Sequence, residues 1–239
     1  MLKKPGHTLF LKAASSAFLF LLVIFSVAME KPVDDHIALA KVYNYLALGD
    51  SYTIGEQVEA KENFPNQVVA MLKERGIGFN EPRIIAQTGW TTDELQAAID
   101  SSKTEEPYDL VTLLIGVNNQ YRGQPVNDYI PEFESLLKQA LHFAGNNPAR
   151  VIILSIPDWG VTPFAEGRDR KQVAKEIDEY NSANQSIAKK YNVRYINITE
   201  NTREAANDIS LLADDKLHPS GKEYTRWAKK LAAVIQEKM

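Results

Sequence analysis

Ser51 and His218 are the residues of this 239-residue chain best suited to chemistry. Ser51 ends Gly49-Asp50-Ser51, directly after the apolar run Tyr45-Leu46-Ala47-Leu48. His218 ends Asp215-Lys216-Leu217-His218, just before the last helical pattern. A serine hydroxyl is a weak nucleophile until a base removes its proton. Imidazole is the usual base, because its pKa lies near working pH. A carboxylate on the other ring nitrogen holds the tautomer and stabilises the imidazolium. The chain has four histidines. His7 lies in an N-terminal segment of targeting character, and His36 lies in a polar lead-in. His142 sits beside the apolar stripe of a helix, where a half-exposed surface position is expected. His218 remains. Asp215 can fold back onto its ring in one tight turn, with Asp214 as the neighbouring rival. These are the parts of a serine hydrolase.

Acyl transfer also needs two or three donors for the developing oxyanion. Ser51 falls near the start of a helix or turn, where backbone N–H groups are free. Gly89 has no side chain, so its N–H can approach a substrate closely. Asn118, in Gly116-Val117-Asn118-Asn119, offers a carboxamide. Gly49 is expected to permit a sharp turn after the strand. Asp50 is expected to bond nearby backbone, and Tyr52 to pack or line a wall. Pro219 disfavours helical geometry at His218 and suits the first position of the next helix. Trp90, Asn119 and Trp159 are candidates for a substrate pocket. Trp90, Trp159 and Phe164 equally suit packing at loop bases. Each short motif alone is ordinary turn chemistry; their joint order along the chain is the signal.

The elements that must position these groups alternate. Apolar runs at Tyr43–Leu48, Arg83–Ala86, Leu110–Ile115, Val151–Ile156 and Val193–Ile198 are short and often β-branched. Such runs are buried on both faces, as in a parallel sheet. Helical stripes lie between them, for example Phe133, Leu136, Leu137, Ala140 and Leu141 ending at Gly145. The alternation predicts right-handed βαβ crossovers and an open α/β sheet of about five strands with helices on both faces. Ligands then sit beyond the carboxyl ends of the strands. Ser51, Gly89, Asn118, Trp159 and the Asp215/His218 pair all follow strands. The Gly-x-Ser-x-Gly elbow of α/β-hydrolases is absent.

With these residues in place the chain resembles the SGNH hydrolases, the GDSL-type esterase and lipase family. The resemblance runs from Tyr43 to the C-terminus. It rests on Gly49-Asp50-Ser51-Tyr52-Thr53-Ile54-Gly55, on Gly89, on Gly116-Val117-Asn118-Asn119 and on Asp215-Lys216-Leu217-His218-Pro219. It implies a flavodoxin-like three-layer α/β/α sandwich and metal-free ester hydrolysis with no cofactor. By position it implies Ser51 as nucleophile, His218 as base and Asp215 as its orienting group. The Ser51 N–H, Gly89 N–H and Asn118 side chain would form the oxyanion hole. Tyr52 stands where leucine is frequent in the family, and Asn119 where aspartate is. Both departures touch subfamily and substrate, not the catalytic groups.

Composition narrows the setting. Net charge is −4, against a nucleic-acid partner. There is no cysteine, which excludes disulfides, thiolate metal sites and cysteine nucleophiles and argues against a lipid-modified N-terminus. Lys3, Lys4 and Lys12 precede the apolar run Phe18–Phe25, and Ser26-Val27-Ala28 forms a small-x-small exit. Residues 1–29 thus read as a signal peptide or an N-terminal membrane anchor, residues 30–42 as a linker and residues 43–239 as the hydrolase domain. The expected protein is exported (periplasmic, secreted or tethered through residues 13–29). It would act on a small-molecule or glycan ester: a lipid-like acyl ester, a thioester or an O-acetylated glycan. Two rival readings stand beside it. One is a flavin- or phosphate-binding flavodoxin-like protein using Ser51–Gly55, where Glu56 would repel phosphate. The other is an inactive surface binding module.

Overall fold

Near-continuous apolar runs become the central strands of the computed structural model, which describes residues 41–104 and 107–237. In chain order these are β1 (Val42–Tyr43), β2 (Tyr45–Asp50), α1 (Ser51–Ile54), α2 (Phe64–Glu74), β3 (Gly78–Phe79), β4 (Arg83–Gln87), α3 (Thr92–Ser101), β5 (Leu110–Leu114) and α4 (Val117–Tyr121). There follow α5 (Val126–Phe143), β6 (Val151–Leu154), α6 (Arg170–Lys190), β7 (Arg194–Ile196), α7 (Thr199–Arg203) and α8 (Gly221–Gln236). The main sheet has five parallel strands in the order β4-β2-β5-β6-β7. This is the flavodoxin-like order, and its switch point lies between β2 and β5. Helices α2 and α8 pack together, while α3, α5 and α6 form a second group. The result is the expected α/β sandwich.

Every residue of β2 and β5 is buried. Leu48 pairs with Ile85 on one side and Leu113 on the other, so neither edge nor face meets water. Burial of a leucine side chain contributes roughly 2 kcal/mol, and Leu46, Leu48, Leu113, Ile153 and Leu154 are all fully enclosed.

The first expected strand, Tyr43–Leu48, divides in two. Val42 and Tyr43 pair with Gly78 and Phe79 in a separate two-stranded sheet. Asn44 makes the break: its N–H donates to the Asp109 carboxylate, and its carbonyl accepts from Asp109 and Leu110. At the other end β2 runs on through Gly49 and Asp50. Gly49 therefore does not turn the chain. A Cβ there would lie 2.1 Å from Thr53 Oγ1 and 2.4 Å from the Leu114 carbonyl, so glycine is required for close approach. Asp50 makes the turn in extended backbone, as the N-cap of α1.

Candidate active site

Three strand ends at the switch point deliver the residues singled out by type. β2 ends in Asp50 and hands Ser51 to α1; β4 is followed by Thr88 and Gly89; β5 is followed by Gly116 and α4, which carries Asn118. Gly116 has φ +124°, and a Cβ would meet the Tyr129 hydroxyl at 2.6 Å, so α4 can start only from glycine here.

His218 arrives from the far end of the chain on a turn built by Asp215. Asp215 Oδ1 accepts the N–H groups of Leu217 and His218, each at 3.0 Å. Its Oδ2 lies 2.5 Å from His218 Nδ1. Lys216 takes the left-handed conformation, φ +59°, which lets the turn close. A backbone bond from Ala213 N–H to the His218 carbonyl, 2.8 Å, seals its base. Asp214, the rival, is exposed. Pro219 is not the first residue of α8, as the sequence suggested. It pairs with Leu212 in an isolated antiparallel bridge, and Ser220 takes the N-cap position, its hydroxyl donating to the Ser210 carbonyl and not to the helix. The bridge pins the turn from its other side.

The imidazole faces Ser51. His218 Nε2 lies 2.9 Å from Ser51 Oγ, across 167 residues of sequence. His218 is only 7% exposed, and its ring packs on Tyr52 with ring centroids 5.0 Å apart. Burial alone would raise the Asp215 pKa. The His218 ring and the two backbone N–H donors outweigh it and hold the carboxyl below its ordinary value. Asp215 is therefore an anion at neutral pH. A hydroxyl, an imidazole and a carboxylate in this series can pass a proton from the hydroxyl to Nε2 while the anion stabilises the resulting charge.

The three expected donors surround one cavity of about 160 Å³, lined by Ser51, Gly89 and Asn118 among others. Gly89 has φ +84°, a conformation natural to glycine. Asn118 Nδ2 donates one hydrogen to the Trp90 carbonyl at 3.0 Å, which orients the amide and leaves its second hydrogen for another acceptor. Besides His218 and Thr88, the rest of the lining is apolar or aromatic: Tyr52, Val117, Tyr121, Trp159, Phe164 and Leu217.

Two pocket candidates from the sequence stand elsewhere. Asn119 is fully buried with its carboxamide turned away: Oδ1 accepts from Thr92 N–H, and Nδ2 donates to Thr92 Oγ1 and Gln124 Oε1. Those bonds to Thr92 and Gln124, on the side of α4 away from the cavity, hold the Asn119 carboxamide out of it while Asn118 faces in. Trp90 contributes its carbonyl to Asn118, while its side chain packs against the core rather than lining the cavity. Trp159 does line it, held by an indole N–H bond of 2.7 Å to Gln120 Oε1. Tyr121 went unnoticed in the sequence. It lies one turn after Val117 on α4, edge-on to Trp159 at 5.2 Å, and that i,i+4 spacing was the available signal. The hydroxyl-rich loop after β2 forms no phosphate cradle. Ser51 is engaged by His218, Thr53 is buried, and the Glu56 carboxylate accepts from Thr88.

Asp50 carries a cost. It is fully buried, Oδ1 accepts only the Tyr52 N–H at 3.0 Å, and Oδ2 has no partner among the described residues. Desolvation pushes its pKa from 3.8 to about 7, against the opposing backbone bonds. The native state thus holds a proton that the unfolded chain has released between these two values. This contribution to stability is full below pH 4 and is lost as pH rises through 7, by up to ~4 kcal/mol. Asp50→Asn keeps the cap and removes the charge. Thermal melts should show the variant gaining on the parent at pH 8 much more than at pH 5. An equal gap at both values would mean that Asp50 does not titrate in the native protein.

The fold has known counterparts. The family model described as GDSL-like lipase/acylhydrolase matches residues 47–226. A comparison with curated proteins finds none that matches. Among solved structures, TesA superposes with a TM-score of 0.65 at 16% identity, covering 83% of this chain and 100% of that one. The acetylxylan esterase Axe2 from Geobacillus stearothermophilus gives 0.63 at 19% identity, covering 81% and 94%. A lipase/acylhydrolase from Enterococcus faecalis gives 0.63 at 20%, covering 82% and 96%. At such identities these likenesses establish the shared fold. With the family match across most of the folded region, the chain belongs to the GDSL-like lipase/acylhydrolase family and is a serine ester hydrolase.

Proposed function

We propose that this protein is an exported carboxylic-ester hydrolase working through an acyl-serine intermediate, with Ser51 as nucleophile, His218 as base and Asp215 as its orienting group. The carrying observation is the continuous hydrogen-bonded series from Asp215 through His218 to Ser51 at the mouth of an apolar cavity. Ser51 Oγ attacks the ester carbonyl and His218 Nε2 takes its proton. The imidazolium then returns that proton to the departing alkoxide. Water, deprotonated by His218, releases the acid and restores the serine. The oxyanion is held by the Ser51 and Gly89 N–H groups and by the second Asn118 amide hydrogen.

The acyl group is short. A cavity of about 160 Å³ falls below the usual range for drug-sized ligands and suits acetyl to butyryl groups. The leaving alcohol lies toward Tyr121 and Phe164, the exposed aromatics of the lining. Such a rim suits a sugar ring or a lipid-like alcohol, so substrates include O-acetylated glycans, small acyl esters and thioesters. Axe2, a structural neighbour, is an acetylxylan esterase. Export is supported by the sequence pattern of residues 1–29, which lies outside the described residues, as does the linker up to residue 40. The same segment would supply a tether if it is retained. Among the described residues no helix is long and apolar enough to cross a membrane.

The test combines p-nitrophenyl acetate, butyrate and octanoate with a fluorophosphonate label mapped by peptide mass spectrometry. Expected are hydrolysis favouring the two short esters and a single adduct on Ser51. An adduct elsewhere, or hydrolysis with Ser51 unlabelled, would refute the assignment. Asn118→Ala should lower kcat by roughly 10²- to 10³-fold with little change in KM, as for loss of one oxyanion donor. Turnover at the parent rate would remove Asn118 from the hole.

A further inference from the structure

We infer that Leu217 is the end wall of the acyl pocket, and that behind it lies a narrow, mainly apolar crevice that a longer acyl chain can enter once the Leu217 side chain is cut back. The inference rests on the assignment of Ser51 above. A second space, with present room for about one water (about 10 Å³), adjoins the cavity at Ser51. Tyr52, Trp159 and Leu217 line both, and so form the partition between them.

The three partition residues are not held alike. Tyr52 is buried under the His218 ring, and Trp159 is buried and tied to Gln120. Leu217 is half-buried in the Asp215 turn, between left-handed Lys216 and His218; its backbone N–H is hydrogen-bonded, and its side chain is held only by apolar packing against the core. Its side chain can therefore change without loss of the bonds that shape the turn.

The chemistry of the crevice selects an apolar occupant. Pro157, Ala205, Leu211, Leu212 and Pro219 supply apolar lining. Its polar groups are engaged elsewhere. Asp158 is held by Gly160 N–H and Arg203, and Glu223 by Trp227 and Arg226. Thr162 and Thr202 donate to backbone carbonyls. A polar ligand entering here would lose water and find its partners occupied, whereas each methylene seated there adds roughly fourfold to binding.

Leu217→Ala tests this by the ratio of octanoate to acetate kcat/KM, both esters measured on the same variant. The ratio should rise at least tenfold, chiefly through a lower KM for octanoate. Leu217→Val should shift it in the same direction by less. Adding Leu212→Phe, which fills the crevice from its far side, should return the Leu217→Ala ratio toward the parent value. A ratio unchanged in both Leu217 variants, or a gain that survives Leu212→Phe, overturns the inference. Absence of Ser51 labelling in the parent protein would instead indicate that the assignment of the nucleophile had failed.

Discussion

Ser51→Ala is expected to abolish fluorophosphonate labelling and to lower kcat by roughly 10⁶-fold, the size of effect seen when a serine nucleophile is removed from a working triad. The oxygen it deletes is the one that carries the acyl group in this mechanism, and it lies 2.9 Å from the base. His218→Ala should cost nearly as much. Without an acceptor at Nε2 the hydroxyl keeps its proton and stays a weak nucleophile. The double variant should be no worse than either single one, because the two groups perform one step together. Rates from single-turnover and steady-state assays on all three variants check this. Additive losses would mean that the two residues act separately. Stability should hardly move, since deleting the Ser51 hydroxyl removes one hydrogen bond worth about 1 kcal/mol.

Asp215→Asn is expected to lower kcat by roughly 10⁴-fold while leaving the turn intact. The reason is local. Oδ1 must remain an acceptor, because the N–H groups of Leu217 and His218 both point at it. The new NH₂ therefore takes the place of Oδ2, 2.5 Å from Nδ1. It donates to Nδ1 and forces the proton onto Nε2, where it faces Ser51 and cannot accept. The loss is one of tautomer, not of fold. A kcat within tenfold of the parent, with the variant folded by circular dichroism, would show that Asp215 does not orient the imidazole. Asp214→Asn should be nearly neutral, since that side chain is exposed and outside the series.

Much of this site was legible in the chain because its parts are local. Asp215 and His218 are three residues apart, and their pairing needs only one turn. The short apolar runs report strands buried on both faces, and five of them form the main sheet. Placing Ser51, Gly89 and Asn118 after successive strands followed from that alternation. What escaped depended on neighbours distant in sequence. Gly49 read as a turn residue because glycine usually is one; its true constraint is the Leu114 carbonyl from an adjacent strand. Asn119 read as a pocket residue beside Asn118, the expected oxyanion donor. Its burial comes from Thr92 on another helix. Tyr121 stands out only once α4 is seen to set it edge-on to Trp159, far away in the sequence.

The amino-acid order alone settled the alternation of helices with the five strands of the main sheet, because periodicity and short-range hydrogen bonds are properties of a few consecutive residues. The tertiary structure decided the approach of Ser51 to His218 across 167 residues, the volume left for an acyl group and the partition at Leu217. Those depend on strand order and on how helices seat against the sheet. They are sums of many weak packing contacts, and no short stretch of chain contains them.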